Sequence, residues 1–290
     1  MNLKEILENK KGVLAKVRGI LWWIYDQRNS LKEFFRRKTK KYQRILGFKN
    51  KPDNSYHFAI VCVKRPAYAK LAIENVNSLH CINPTHLFTI YCDSACEDFL
   101  KKNLRKFDYP KDVTINNAFG VADKPWQYYK LETTIEISRK DWLLVDADAR
   151  WHHDPIIDRS KITFLVSPKM IREKPDETLV IKNVFGREDW LGFRYYSSGF
   201  LSIPSRFMTD KVANDSRTLL KKLLDSKFEF LPSQGQRDDQ KRQAEQFALN
   251  LGILSNHAES NLTTLKKKDG TKDTNLLQSL YYGCARQINK

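Results

Sequence analysis

Short apolar runs rich in β-branched and aromatic residues alternate with segments of helical periodicity between residues 57 and 145. The pattern predicts strands at His57–Val63, His86–Cys92, Val113–Asn116 and Asp141–Val145, and helices at Ala67–Leu79, Cys96–Arg105 and Trp126–Ile137. This alternation predicts a mostly parallel, doubly wound α/β sheet that is buried on both faces. Ligands of such sheets bind at the carboxyl ends of the strands. A functional site is therefore expected at the positions that follow these strands.

The positive charge of the chain is concentrated at its N-terminus. The 290 residues carry a formal net charge of +17, and a hydrophobic content of 41% excludes wholesale disorder. Residues 1–50 hold 14 Lys or Arg against four Asp or Glu, a net charge of +10. An excess of this size indicates attraction to a polyanion, whether anionic lipid, nucleic acid or a phosphate-bearing substrate.

Residues 1–50 also have the pattern of an amphipathic helical arm. Apolar residues recur at helical spacing among the basic ones, and Trp22, Trp23 and Tyr25 lie in the middle. A basic helix with aromatic residues is typical of binding to an anionic membrane surface. Packing of the arm on the domain or on a second subunit, and binding to nucleic acid, are the alternatives. After a polar linker around Pro52, residues 55–290 are predicted to form one globular domain.

The cysteines and the N-terminal region predict a cytoplasmic location. The five cysteines are odd in number, and Cys62 and Cys92 lie within predicted buried strands, which favours a reducing compartment. The apolar run from Gly19 to Tyr25 is too short to span a bilayer, and no cleavable signal peptide is recognisable. We therefore expect a cytoplasmic protein that is peripheral on the inner face of a membrane if the arm binds there.

Two aspartates follow the fourth predicted strand. Asp146 and Asp148 come directly after Leu-Leu-Val, where a ligand site is expected. Like charges this close favour a bound cation, and Mg²⁺ or Mn²⁺ held by carboxylates commonly completes its coordination with phosphate oxygens. The pair therefore indicates a nucleoside diphosphate ligand. Two turn aspartates that cap a helix are the structural alternative.

Four sequence blocks follow one another over roughly residues 56–257. They are the first strand with Ala67-Tyr68-Ala69, then Tyr129-Lys130-Leu131, Val145-Asp146-Ala147-Asp148-Ala149, and Ser197-Ser198-Gly199-Phe200 followed by Asp239-Gln240. Together these blocks resemble nucleotide-sugar-dependent glycosyltransferases of the GT-A fold, and within them the retaining, glycogenin-like family. The resemblance implies a Rossmann-like GT-A sheet and an enzyme that uses a UDP-sugar with Mn²⁺ or Mg²⁺.

The same resemblance implies roles for residues of the donor site. Val61 and Val63 would line the pocket for the base, and Tyr68 would stack on the base or hydrogen-bond to it. Lys130 would reach the diphosphate or the donor sugar. Two alternatives stay open, since Tyr68 could be a core aromatic of its helix and Lys130 a solvated charge.

The resemblance also implies three metal ligands. Asp146 would contact the ribose and the metal, and Asp148 would bind the metal directly. His257 would be the third ligand, although the Gly-Lys-Pro-Trp sequence that usually follows this histidine in the family is absent.

The fourth block and the Asp239-Gln240 dipeptide that follows it would face the donor sugar. Ser198 and Gly199 would bring the backbone close to the sugar, but the usual Asn-Ser-Gly of the family is Ser-Ser-Gly here, so position 197 offers no amide. Asp239 and Gln240 would lie at the donor sugar and the reaction centre. Capping of the helix predicted over Gln240–Leu251 is the alternative role for this pair.

Together these patterns predict a metal-dependent enzyme that moves a sugar from a UDP-sugar to a glycan or lipid-linked glycan. The resemblance favours retention of the anomeric configuration. An inverting enzyme would need a general base, for which Asp189 is available. A nucleic-acid-binding protein that uses the arm and an inactive scaffold of the same fold also stay open. The carboxylate pair disfavours nucleic acid because a polyanion binder would avoid negative charge at its binding site.

Overall fold

The computed structural model describes residues 55–104, 112–149, 151, 154–165, 169–226 and 244–265. The arm predicted for residues 1–50 lies outside the described residues, and so do Asp239 and Gln240.

Seven strands form one mixed sheet that is parallel over most of its width. They are β1 (His57–Cys62), β2 (Leu87–Cys92), β3 (Val113–Asn116), β4 (Leu143–Val145), β5 (Ile162–Phe164), β8 (Phe200–Ser202) and β9 (Leu262–Thr264). Their order is β3-β2-β1-β4-β8-β5-β9, and β8 runs antiparallel to both of its neighbours. A second, two-stranded sheet pairs β6 (Lys169–Met170) with β7 (Arg194–Tyr195). The fold class predicted from the sequence, α/β with a mostly parallel sheet, is confirmed.

The described helices connect these strands. They are α1 (Pro66–Ile82), α2 (Ser94–Leu104), α3 (Trp126–Ser138), α4 (Pro175–Val180), α5 (Asp210–Asp225) and α6 (Ala244–Leu254). Helix α1 begins at Pro66 because the fixed φ of proline suits the first turn of a helix. Helix α4 continues into a π-helical turn at Ile181–Phe185. No helix in this part of the chain is both long and apolar enough to cross a bilayer.

Strand β4 begins two residues later than the sequence predicts. Asp141 has a φ of 55°, in the left-handed region. The amides of Asp141 and Trp142 donate to the carbonyl groups of Ser138 and Ile137, so they close the C-terminus of α3. The chain therefore turns before the strand starts, and the three residues of β4 end directly before Asp146.

The sheet is buried on both faces, as its apolar strands predict. In β1, Phe58, Ile60 and Cys62 pack against one hydrophobic cluster with α1 and α2. Ala59 packs on the other face, in a cluster that also contains residues of α3, α5 and α6. Because successive side chains of a strand alternate between faces, the continuous apolar run of β1 supplies both clusters.

The antiparallel direction of β8 brings a second segment to the carboxyl end of β4. Phe200 at the start of β8 pairs with Val145 at the end of β4. The amide of Asp146 then donates to the carbonyl oxygen of Gly199 at 2.9 Å. The Ser198-Gly199 segment and Asp146-Ala147-Asp148, here called the DxD motif, are therefore adjacent in the fold, although they are two separate blocks of the sequence.

Candidate active site

The ammonium group of Lys130 lies between two carboxylates at the carboxyl end of β4. Its Nζ is 2.7 Å from Oδ1 of Asp146 and 2.9 Å from Oε1 of Glu245. Helix α3 supplies Lys130, the residue after β4 is Asp146, and the first turn of α6 supplies Glu245. The side chains of Lys130 and Glu245 are only 12% and 5% exposed. Three elements thus converge on one buried ion-paired cluster.

This arrangement keeps Lys130 charged. Burial by itself would lower its pKa, but the charges of Asp146 and Glu245, with their hydrogen bonds, raise the pKa well above its ordinary value. The alternative of a solvated lysine is therefore wrong. Two carboxylates around one ammonium leave one negative charge in the cluster. The second carboxylate oxygen of Glu245, Oε2, is buried and has no hydrogen-bond partner among the residues that the structure describes.

The loop that carries the DxD motif is fixed by helix α1. The Asn75 side-chain amide donates to the carbonyl oxygen of Asp146 at 2.7 Å, and the amide of Ala149 donates to the same oxygen at 3.0 Å. One turn further along α1, the hydroxyl of Ser78 accepts a bond from the amide of Trp151. Helix α1 therefore holds the loop at its first and last residues.

Gln246, the neighbour of Glu245, is bonded to the Ser-Gly segment. Its Oε1 accepts hydrogen bonds from both the amide and the hydroxyl of Ser198, each at 3.0 Å. Its Nε2 donates to the hydroxyl of Tyr195 at 2.5 Å. Because Ser198 precedes Gly199, which bonds to Asp146, the side chain of Gln246 belongs to the same site as the DxD motif.

Glu245 and Gln246 are site residues that the sequence interpretation missed. That interpretation chose Asp239 and Gln240, which lie outside the described residues. An acidic residue followed by glutamine occurs twice in this region, at 239–240 and again at 245–246. The second pair lies inside the predicted helix, and helical periodicity alone assigns it no special role. The sequence feature that could identify this pair is the repeat of the dipeptide, and no spacing between motifs identifies it.

The residues implied for the base pocket lie near the carboxyl end of β1. Val61 is partly buried within β1, and Val63 is buried just after it. Tyr68, in the first turn of α1, has 38% of its surface exposed. This exposure contradicts the alternative of a core aromatic and leaves the ring accessible. Binding of a base by these three residues stays a prediction.

His257 is not brought to Asp146. Its Nε2 donates to the carbonyl oxygen of Phe207 at 2.8 Å, and the two rings meet edge to face. Phe207 belongs to a short helical turn with Ser205, whose amide donates to Asp141 ahead of β4. This region lies at the amino end of β4, whereas Asp146 follows the carboxyl end. The placement corrects the expectation that His257 is a third metal ligand, because metal ligands must share one coordination sphere.

Asp189 lies in a different setting from the buried carboxylates. Its side chain is 60% exposed, and its two oxygens accept hydrogen bonds from Arg187 at 2.9 and 2.7 Å. The hydrogen bond from Arg187 is the main reason why the pKa of Asp189 is lowered. A general base works best with a pKa near the operating pH, so these contacts disfavour Asp189 in that role.

The chemistry of the DxD carboxylates fits a hard divalent cation. Asp146 and Asp148 offer oxygen atoms, the ligands that Mg²⁺ and Mn²⁺ prefer, and the side chains of both are partly exposed at the edge of the sheet. Within the described ranges, no group of three or more His, Cys, Asp or Glu side chains could hold a metal ion.

Comparison with solved structures finds several glycosyltransferases to which this chain is similar. Galactosyltransferase LgtC, in complex with donor and acceptor sugar analogs, is 14% identical with a TM-score of 0.44 over 72% of each chain. The PaToxG glycosyltransferase is 11% identical with a TM-score of 0.36, over 78% of this chain and 80% of that one. Mannosyltransferase Ktr4p from S. cerevisiae is 9% identical with a TM-score of 0.40, over 74% of this chain and 70% of that one.

Two comparisons of the sequence found no match. No model of a known protein family matches the chain. No curated protein matches it either. Because the TM-scores of the structural matches lie below 0.5, no function is transferred from those proteins to this chain.

Proposed function

We propose that this protein is a metal-dependent glycosyltransferase that takes a sugar from a nucleoside diphosphate sugar, most simply a UDP-sugar. The observation that carries the proposal is the buried ammonium of Lys130 between Asp146 and Glu245 at the carboxyl end of β4. In α/β sheets this edge binds ligands. The cluster there combines a fixed positive charge with carboxylates suited to a cation.

The reaction breaks the bond between the sugar and the diphosphate, which builds negative charge on the leaving group. Lys130 can stabilise that charge, because its ammonium is buried, has a pKa raised by the two carboxylates and is already oriented. A divalent ion, when bound at Asp146 and Asp148, would supply Lewis-acid stabilisation of the same diphosphate. The leaving group then needs no proton from the protein.

Glu245 and Gln246 are proposed to bind the donor sugar. The buried Oε2 of Glu245 requires a hydrogen-bond donor, and sugar hydroxyl groups are donors. Gln246 lies beside it and is held by Ser198. These two side chains take the roles that the sequence interpretation gave to Asp239 and Gln240, and they would orient the anomeric carbon relative to Lys130.

We propose retention of the anomeric configuration. The glycogenin-like sequence blocks support it, and the exposed position of Asp189 with its lowered pKa supports it further. The acceptor would be a glycan or a lipid-linked glycan. The basic arm of residues 1–50 would bring the enzyme to an anionic membrane that carries such an acceptor.

A thermal-shift screen tests this proposal. The protein is heated with UDP-glucose, UDP-galactose, UDP-N-acetylglucosamine or GDP-mannose, each with Mn²⁺ and again with EDTA. A ligand that binds only the folded state raises the midpoint of unfolding. We expect a rise with at least one nucleotide sugar that requires Mn²⁺. The absence of any nucleotide-dependent rise with either addition would contradict the proposed function.

A further inference from the structure

Gln246 is anchored by a chain of side chains that extends away from the carboxylate cluster. The hydroxyl of Tyr195 accepts the bond from Nε2 of Gln246. The ammonium of Lys174 lies 4.3 Å from the centre of the Tyr195 ring, and its own partner is Glu177 at 2.9 Å. Tyr195 and Glu177 are buried. The contacts therefore fix the position of the Tyr195 ring and, through it, the Gln246 amide.

The amide of Gln246 has four hydrogen-bonding positions, two on its oxygen and two on its nitrogen. Ser198 uses both positions on the oxygen of Gln246. Because the backbone N–H of Ser198 can only donate, it must face an acceptor, so the oxygen and the nitrogen of the Gln246 side chain cannot be exchanged. Tyr195 uses one N–H. Within the described ranges of the chain, these contacts leave one N–H of Gln246 for a ligand, next to Glu245 in the chain.

We infer that Tyr195 is a positioning residue of the active site, which aims this remaining N–H of Gln246 at the donor sugar. The inference rests on the proposed function, since it deepens the role given there to Gln246. Ser198 fixes the oxygen of the amide, but a second anchor on the nitrogen is needed to fix the plane of the group. Tyr195 supplies that anchor without touching the substrate itself.

The substitution Tyr195→Phe removes the hydroxyl and keeps the ring. Tyr196→Phe is a matched control, because it makes the same change one residue further on, where the ring stacks on Phe164 in the core. Turnover is measured as release of UDP from the UDP-sugar that gives the largest thermal shift. We expect Tyr195→Phe to lower kcat about tenfold with KM for the donor changed less than twofold, and Tyr196→Phe to leave both unchanged.

A double-mutant cycle separates positioning from a general loss of structure. In a Gln246→Met background, Tyr195→Phe is expected to lower kcat less than twofold, because its target is gone. Selective ¹⁵N labelling of glutamine gives a readout that needs no activity. The side-chain amide resonances of Gln246, assigned by their loss in Gln246→Met, should shift in Tyr195→Phe and stay in place in Tyr196→Phe.

Three results would overturn the inference while the enzyme remains active. The first is a Tyr195→Phe variant that turns over at the same rate as Tyr196→Phe, and the second is a set of Gln246 resonances that does not shift in Tyr195→Phe. Equal losses from Tyr195→Phe in both backgrounds would also overturn it. A wild-type protein that releases UDP from no donor overturns the proposed function, and the role of Tyr195 with it.

Discussion

Oε1 of Glu245 lies 2.9 Å from Nζ of Lys130, although 115 residues separate the two in the chain. Both side chains are almost completely buried, so each depends on the other for its charge to be tolerated. The contact ties the first turn of α6 to helix α3, and Asp146 joins it from the end of β4. The same contact therefore holds the fold together and forms part of the proposed active site.

We predict that Lys130→Met destabilises the domain by about 3–5 kcal/mol, because it leaves the carboxylate of Glu245 buried without its partner. The double variant Lys130→Met/Glu245→Gln should recover part of this loss, since the neutral amide costs less to bury. Urea denaturation of the three proteins measures both effects. A Lys130→Met protein as stable as the wild type would mean that the buried pair does not form.

Lys130 should matter more for turnover than for binding. The variant Lys130→Ala is expected to lower the rate of UDP release far more than it weakens the affinity for UDP, because charge on the diphosphate is greatest as the sugar departs. Calorimetry of UDP binding and steady-state kinetics on the folded variant give the two values. Equal turnover in the variant and the wild type would show that Lys130 takes no part in the reaction.

Asp148→Ala should abolish the dependence of UDP binding on Mn²⁺. The reason is that Asp148 is proposed to bind the metal through which the diphosphate is held. Asp98→Ala, on the exposed surface of α2, is the control and should keep the dependence. The measurement is calorimetry of UDP with Mn²⁺ and with EDTA. Equal affinity for UDP in EDTA and in Mn²⁺ for the wild type would contradict the metal site itself.

A histidine far from this site predicts a pH effect on stability. His57 stacks on Trp142 with ring centres 3.6 Å apart. Burial, and then the nearby charge of Lys140, lower its pKa to about 4. Because the folded state disfavours the charged ring, its contribution to stability is complete above pH 6.5 and is lost as the pH falls towards 4.

The size of this effect is at most about 3 kcal/mol. His57→Phe keeps an aromatic ring against Trp142 and removes the titrating group. Between pH 6.5 and 4, the free energy of unfolding of this variant should fall less steeply than that of the wild type. Parallel pH profiles of the two proteins would show that the environment of His57 does not suppress its charge.

The sequence predicted the parallel half of the sheet well, because β1, β2, β3 and their helices have strong periodic signals. The family resemblance implies that Lys130 and Asp146 both lie at the donor site, and the structure brings these two side chains into contact. The antiparallel direction of β8 could not be predicted, since a short apolar strand has the same pattern in either direction. Yet that direction is what brings Ser198 and Gly199 to the site.

Two errors of the sequence-based prediction, at Glu245 and at His257, have related causes. Glu245 was missed because a single acidic residue within a helical pattern usually lies on a solvated face, and its burial depends on packing between α6 and α3. His257 is expected to bind the metal because the family resemblance implies a late histidine ligand, and this one lies at about the expected distance along the chain. Chain distance does not determine at which end of the sheet a residue lies, and here it lies at the amino end.

Deletion of residues 1–50 should leave a folded domain that still releases UDP slowly without an acceptor, because no proposed site residue precedes Val61. Binding to vesicles that contain anionic lipid should be lost. Each basic residue near such a surface contributes about 1 kcal/mol, so a net charge of +10 can hold the enzyme there even when few charges engage. If full-length and truncated protein sediment equally with vesicles, the arm does not bind membranes.

The release of UDP from a UDP-sugar tests the central claim most directly. The wild-type protein is incubated with each sugar nucleotide, with Mn²⁺ or with EDTA, beside Glu245→Gln, which keeps the size of the side chain and removes its charge. We predict Mn²⁺-dependent release by the wild type and a rate lower by about 10²-fold in the variant. Release by neither protein from any donor, or equal rates from both, would contradict a glycosyltransferase site built on Lys130, Asp146 and Glu245.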